Sequence, residues 1–424
     1  MKIQSNYDAV VIGGGQAGLS ASVHLQKCGV EHVVLERNRV AESWRSQRWD
    51  NFCLVTPNWQ CTLPEFAYDK EYRGGDRDGF MKRDEIVEYI EAFRQSKAIP
   101  VVEGVEVHQL STDGEGFRLK LSSDQTLRAT NVIVATGGYH VPRIPPAAQS
   151  VPAHITQIHS SQYKNAARMP DGGVLVVGTG QSGCQIAEDL HLEGKQVHLA
   201  VGRAPRAPRY YRGRDVTAWL VDMGAYDVTV DEHPMGKDVR KKTNHYLTGR
   251  DGGREIDLRR FAREGMDLRG RFLGIDGDAF RFQDDLSENL DNADASVARI
   301  KNEIDLYIDE NGMDCPPGES YEPVWFPTQT DLALPFDSVG SIVWCTGFRK
   351  DYEWMDIDVF DDESEPIYDR GVTPVPGLYF LGLPWMHTWG SGRFGGVAAD
   401  AGHVVRHLAD RHANALTTLE RSIV

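Results

Sequence analysis

The chain has no apolar run approaching the ~18 residues of a membrane-spanning helix. A few polar residues pass directly into the first strand pattern, so no signal peptide and a cytoplasmic location are expected. Cysteine is sparse: Cys28, Cys53, Cys61, Cys184, Cys315 and Cys345 are scattered, with no CxxC pair and no cysteine–histidine cluster. That argues against a disulfide framework, a metal site, and the paired redox dithiol of a disulfide reductase. Positive charge is in deficit, with 46 Lys and Arg against 62 Asp and Glu and a net charge of −16. So acidic a chain is expected to be soluble and not to bind nucleic acid or membrane. Low-complexity segments are missing, and nothing repeats except one glycine-rich pattern. The 424 residues, 41% hydrophobic, suffice for two cores.

The glycine pattern occurs twice. An apolar strand over 7–12 leads into Gly13-Gly14-Gly15-Gln16-Ala17-Gly18, and Leu19, Val23 and Leu25 mark a helix behind it. A second strand over 174–177 leads into Gly178-Thr179-Gly180-Gln181-Ser182-Gly183, backed by Ile186, Ala187 and Leu190. A pyrophosphate needs backbone N–H groups at a helix N-terminus with no Cβ in the way. Gly13 and Gly178 permit the turn, Gly15 and Gly180 the approach, Gly18 and Gly183 the helix–strand packing. The next strands end in opposite charges. One ends in Glu36, 18 residues beyond Gly18, near the ~20 expected for an acid that binds a ribose hydroxyl pair. The other ends in Gly202-Arg203, where a guanidinium would pair with a 2′-phosphate that a carboxylate would repel. Arg206 and Arg209 follow within reach of the same loop. Two unlike dinucleotides are implied, FAD at the first motif and NADPH at the second.

Between the motifs, the spacing predicts a helix over 82–96, where Ile86, Tyr89, Ile90 and Phe93 share a face. Short strands are expected around 101–109, 117–121 and 127–129, and an apolar strand over 131–135 ends at Thr136-Gly137-Gly138. The proline-rich segment 141–146 reads as the approach to a domain crossing that ends near Asp171. A helix over 284–310 carries Leu286, Leu290, Val297, Ile300, Ile304 and Ile308 as its core stripe. The strand over 341–344, closed by Cys345-Thr346-Gly347, repeats the earlier strand ending and reads as a return to the first domain's sheet. A last strand at 377–382 precedes Gly390-Ser391-Gly392-Arg393-Phe394-Gly395-Gly396, which opens a helix from 397 to about 412. Its positive end would face a flavin pyrimidine. The expected fold is α/β with two Rossmann-like dinucleotide-binding domains. Residues 1–165 and 320–424 would form a discontinuous FAD-binding domain, and 166–319 an NADPH-binding domain with a polar insertion at about 205–282.

With these pieces in place the chain resembles a class B flavoprotein monooxygenase, the group of flavin-containing and Baeyer–Villiger monooxygenases. Within that group it is similar to a bacterial flavin-dependent oxidoreductase subgroup encoded near nitrilases. Both glycine motifs, Ser43-Trp44-Arg45, residues 49–57, Ala135-Thr136-Gly137-Gly138 and Cys345-Thr346-Gly347-Phe348 carry the resemblance. It implies that 49–57 lies along the isoalloxazine. Besides the motif glycines, Glu36 and Arg203, it assigns to cofactor binding Gln16, Ala17, Arg37, Trp44, Arg45, Trp49, Leu54, Thr56, Ala135, Thr136, Gly137, Gln181, Ser182, Gly347, Gly382 and Gly396. It also implies NADPH-dependent oxygenation of a small molecule by O₂ through a flavin C4a-(hydro)peroxide. Trp44, Trp49 and Trp59 are candidates for the dry wall around it, and Asn58, Trp385, His387 and Trp389 for the reacting edge. Of the family's linker fingerprint, His159 and Tyr163 match, whereas Ala153 and Ile155 replace its phenylalanine and glycine. No arginine is placed by sequence to support a Baeyer–Villiger reaction, so N- or S-oxygenation is the first expectation. A Baeyer–Villiger enzyme, an NADPH oxidase or electron-transfer reductase, and a redox-sensing nucleotide module remain alternatives. A homodimer is compatible with this size.

Overall fold

The computed structural model describes residues 3–72, 76–328 and 331–423, with side chains described through residue 413. Strand β1 (Asn6–Ile12), helix α1 (Gln16–Lys27) and strand β2 (His32–Glu36) make the first βαβ unit, largely apolar inside because both sheet faces are covered, with one buried polar pair, Ser22 and His32 at 2.7 Å. Helix α2 (Arg83–Ser96) follows, with Glu85 reaching back to the Lys82 N–H as a capping residue. Then come β3 (Val101–Glu103), β4 (Val107–Thr112), β5 (Phe117–Leu121) and β6 (Thr126–Val134). Strand β6 is one element where two were expected. Its first half pairs antiparallel with β5, and its second half runs parallel beside β1.

The second sheet is wholly parallel. It takes β7 (Thr156–His159), β8 (Gly173–Val177), helix α3 (Gln181–Leu192), β9 (Val197–Ala200) and β10 (Asp267–Arg269). An antiparallel ribbon of β11 (Phe272–Asp276), β12 (Ala279–Phe282) and β13 (Ala333–Pro335) stands beside it, with helix α4 (Leu286–Glu310) between β12 and β13. All six expected α4 stripe residues are buried. Strand β14 (Val339–Trp344) lies between β7 and β8. The chain then returns through β15 (Leu378–Phe380), parallel to β6, and ends in α5 (Val397–Ile423), longer than expected.

Two expectations are corrected here. The strand at 341–344 was expected in the first sheet but belongs to the second. The bounds 165/166 and 319/320 therefore each cut off a strand of the second sheet, β7 and β14. The chain crosses at the two-strand ribbon where Val141–Pro142 pairs with Phe348–Arg349. The two strand endings read alike because each closes the strand that pairs with its domain's glycine-motif strand, β6 with β1 and β14 with β8. A Cβ on Gly13 (φ +114) would sit 2.5 Å from the Ala135 carbonyl oxygen, and one on Gly178 (φ +105) would sit 2.7 Å from that of Cys345. Only glycine tolerates both the backbone angle and the approach.

The insertion is corrected as well. Residues 267–282 are sheet and ribbon, so the excursion ends before β10. Each domain makes a long excursion, over 37–100 between β2 and β3 and over 201–266 between β9 and β10, and the two excursions meet. Arg209 donates from one to the Val55 carbonyl of the other at 2.9 Å and lies over Phe80. Gly249 and Gly253 have no side chain because Phe80 fills that space. A methyl at Gly18 or Gly183 would strike the carbonyl of the first motif glycine in its own cradle. We predict that Gly18→Ala and Gly183→Ala each cost about 1–3 kcal/mol by denaturant unfolding, with nucleotide binding lost only in the substituted cradle.

Candidate active site

Both glycine motifs become helix N-termini with the same lack. Among the described residues, α1 and α3 are the only α-helices with neither a capping side chain nor an acid in the first turn. The short helices Val216–Asp222 and Leu258–Arg263 are capped by Asp215 and Asp257. The first N–H groups of α1 and α3 are thus left for an anion; the carboxylate beside α1, that of Glu36, lies on the Gly14 N–H, one residue before the cap. The space above them is clear. A Cβ on Gly15 would meet nothing within 4 Å, and one on Gly180 would meet only the Thr243 methyl group at 4.0 Å. Gln181 and Ser182 open α3, where the Gln181 amide donates to the Leu247 carbonyl.

The selectors sit where strand order places them. Glu36 ends β2 and accepts from the Gly14 N–H at 2.7 Å and the Asn38 N–H at 2.8 Å. Arg37 turns away toward Glu106 at 3.9 Å. Arg203 follows β9, is exposed, and has no carboxylate within ion-pair distance among the described residues. Arg206 and Arg209 do not join it. Arg206 is buried against Glu255 and Asp294, at 2.7 and 2.8 Å, and Arg209 against Asp215. Their charges are neutralised by carboxylates of the insertion and, for Arg206, by Asp294 on α4, which the sequence pattern had no means of showing.

Around the first cradle, Gln16 is a hub. It accepts from the Trp44 indole at 3.2 Å and donates to the Gly392 carbonyl at 2.9 Å. Trp44 stacks on Phe394 and tilts on Phe52, and Trp49 meets Phe52 edge-on at 4.9 Å. Trp59 stands apart beside Arg77. Arg45 is engaged by Glu91 at 2.8 Å and by the Val40 carbonyl. Gly382 (φ +83) touches Ala17 with no room for a Cβ, and Gly396 abuts Gly390. Leu54 bonds through its N–H to Met81, Thr56 is half-buried, and Thr136 is exposed above Gly137 (φ +76). Gly347 belongs to the crossing: its carbonyl accepts from the Arg143 N–H and the His159 ring.

The candidate catalytic residues lie on two turns. Asn58 is buried and bonds the Asp76 carbonyl at 2.9 Å, yet its Oδ1 has no partner among the described residues. Its turn reaches Gly395 through Gln60. Trp385, His387 and Trp389 lie on the loop after β15. Sequence reasoning missed what holds that loop, namely residues 226–244 of the second excursion. Tyr226 stacks on Trp389 at 4.9 Å, the Val230 N–H donates to the His387 carbonyl, Arg240 donates to the Trp385 carbonyl, and Asn244 accepts from both Trp389 and Arg393. The excursion has no periodicity, so only contact reveals this role. No direct contact joins Asn58 to His387 or Trp389 among the described residues.

The crossing carries its own histidine. His159 is buried; its Nδ1 accepts from the Ser161 N–H and its Nε2 faces the Gly347 carbonyl at 3.0 Å, which fixes the neutral Nε2–H form. Burial lowers its pKa.

A family profile described as pyridine nucleotide-disulphide oxidoreductase matches residues 10–242. The chain belongs to that family. It is 31% identical over 410 residues to an uncharacterized CzcO-like oxidoreductase of Geobacillus kaustophilus, covering 96% of this chain and 99% of the relative. Over 198 residues it is 31% identical to indole-3-pyruvate monooxygenase YUCCA1 of Oryza sativa, covering 46% of this chain and 47% of the relative. The flavin-containing monooxygenase of Stenotrophomonas maltophilia has the same fold, with TM-score 0.64 at 20% identity over 96% of this chain and 99% of that one. The expected resemblance to flavoprotein monooxygenases stands, as does the fold of two dinucleotide-binding domains. The disulphide in the family's description finds no counterpart here: all six cysteines are free. Burial pushes the Cys53 thiol up to about 11 and the Cys61, Cys184 and Cys345 thiols up as well.

Next to Asn244, burial and then the charges of Arg299, Lys242 and Arg393 push the His245 pKa down to about 4. The folded state therefore keeps this ring neutral while the unfolded chain takes up protons below about 6.5. Its stabilisation is complete above pH 6.5 and is lost as pH falls toward 4. Relative to His245→Gln, the wild-type chain is expected to lose about 3 kcal/mol over that interval, read from denaturant unfolding at several pH values.

Proposed function

We propose that this oxidoreductase is an NADPH-dependent FAD monooxygenase of small organic molecules, most simply one that oxygenates nitrogen or sulfur. The observation that carries this is a pair of like cradles with unlike selectors, Glu36 at one and an unpaired Arg203 at the other. The residues present fit both groups. Uncapped helix ends and bare glycines suit two pyrophosphates, the Glu36 carboxylate suits a ribose, and the free guanidinium suits a 2′-phosphate.

Gln16, Glu36, Trp44 and the turn at Gly13–Gly18 would hold FAD, and Gly178–Gly183 with Arg203 would hold NADPH. When bound and reduced, the flavin supplies the oxygen activation that no side chain can. The chain's own part is placement and dryness. Trp44, Trp49, Phe52 and Phe394 make a continuous aromatic wall that keeps water from the first cradle's inner side. The Asn58 Oδ1, buried without a donor, would accept a proton donor from the bound group or substrate. The His387 imidazole has no hydrogen bond among the described residues and shares its loop with Trp385 and Trp389.

Arg393 favours a second reading. It lies 4.9 Å over Trp389 on the loop of candidate catalytic residues, a cation of the kind a Baeyer–Villiger reaction would use.

Purified protein incubated with NADPH, O₂ and a panel of an amine, a sulfide and a ketone tests this. Gain of one oxygen by the amine or sulfide supports the first reading, and lactone or ester formation the second. NADPH consumption with only H₂O₂ formed would make it an oxidase. A colourless chain that takes up no flavin ends all three. Arg203→Ala is expected to raise KM for NADPH about ten- to a hundredfold, the loss of one or two charge-assisted hydrogen bonds. KM for NADH is expected to change little in the same steady-state assay.

A further inference from the structure

The second cradle's helix carries an acid that no cofactor contact explains. Asp189, eight residues after Gln181, is 1% exposed. Its Oδ1 accepts from the Asn51 amide of the first excursion at 3.0 Å and from the Arg250 guanidinium of the second at 2.6 Å. Its Oδ2 accepts from the Tyr163 hydroxyl of the crossing segment at 2.7 Å. One carboxylate thus collects donors from both excursions and the crossing. Burial, with Asp189 beside it, holds the Tyr163 phenol far above its ordinary range, so that hydroxyl stays a donor. The neighbouring Glu188 is buried too and accepts from Arg254 at 3.1 Å. Together with Trp49, Asn51, Gln185, Thr248 and Arg250 it lines a small polar cavity at this junction.

From Asp189 a chain of contacts runs to the first cradle. Asn51 lies between Trp49 and Phe52; Trp49 meets both Tyr163 and Phe52; Phe52 meets Trp44; and Trp44 bonds Gln16. The geometry points to Asp189 as a positioning residue that couples occupancy of the second cradle to the arrangement of the first. A rigid helix whose N-terminus closes on a nucleotide shifts as a unit, and its buried carboxylate moves Asn51 with it. A purely structural ion pair would leave the two cradles independent. Contiguity alone does not demonstrate coupling; a measured free energy does.

The test compares wild type, Asp189→Asn and the double variant Asp189→Asn/Asn51→Asp, which returns one carboxylate to the cluster. NADP⁺ is titrated into FAD-loaded protein while the flavin absorbance is followed, and hydrogen exchange is measured across residues 48–56. In Asp189→Asn the NADP⁺-induced spectral change is expected to shrink about tenfold, with the Kd for NADP⁺ within about threefold of wild type. Exchange over 48–56 is expected to rise with or without FAD, and the double variant to recover both signals. An Asp189→Asn protein that keeps the wild-type spectral response and exchange overturns the proposal. Should that variant not fold, Tyr163→Phe removes a single donor and leaves the charges intact. It is expected to give a smaller change of the same sign, and no change overturns the proposal equally. The spectral arm rests on the two-cofactor reading above. The exchange arm does not, so the two fail separately.

Discussion

Backbone packed directly on backbone governs this molecule. In each domain the first motif glycine lies against the carbonyl just past the neighbouring strand, β6 or β14, and the third glycine lies against the first. These contacts bring a helix N-terminus to the carboxyl edge of a parallel sheet with nothing between. A side chain at any of the four positions would push helix and sheet apart and fill the space a phosphate needs. The rest follows from that closeness. Because the helix starts so near the sheet, the residue ending the next strand reaches the same turn, and Glu36 bonds Gly14 from there. In the proposed function, the identity of that one residue is what would choose the nucleotide.

This explains why the cradles were legible in the sequence. Glycines at fixed spacing after an apolar strand have few other uses, and each landed where the pattern put it. The same logic misled at Cys345-Thr346-Gly347. Strand endings that do the same work in two domains are indistinguishable in one dimension, and only the pairing of β14 with β8 tells them apart. Periodicity also served for α4, whose apolar stripe is buried throughout. It failed over 201–266, where short turns, two brief helices and buried ion pairs leave no repeat to read.

What the sequence hid most fully was the use of arginine. Arg203, Arg206 and Arg209 look equivalent along the chain, yet one is exposed with no ion-pair partner among the described residues and two are sealed in salt bridges. The difference is tertiary: Asp294 on α4 arrives from 88 residues away to meet Arg206. A cation is free for a ligand only where no carboxylate is brought to it, and spacing carries no information about that.

The buried pairs also indicate what the second excursion does. Exchanging water for a protein carboxylate around an arginine gains little net stability, because desolvation offsets the attraction. Breaking one side of such a pair is costly, since the other charge is stranded. Arrangements of this kind therefore select a geometry more than they strengthen it. Arg209 holds Val55, Asn244 holds Trp389 and Arg393, and Asp189 holds Asn51, three separate points where one domain's excursion or helix grips the other. An apolar interface of the same area would tolerate sliding; directional bonds between fixed groups do not. Under the proposed two-nucleotide function, that directional fixing is what would keep the two cradles in register, since small misplacements of reacting groups are expensive.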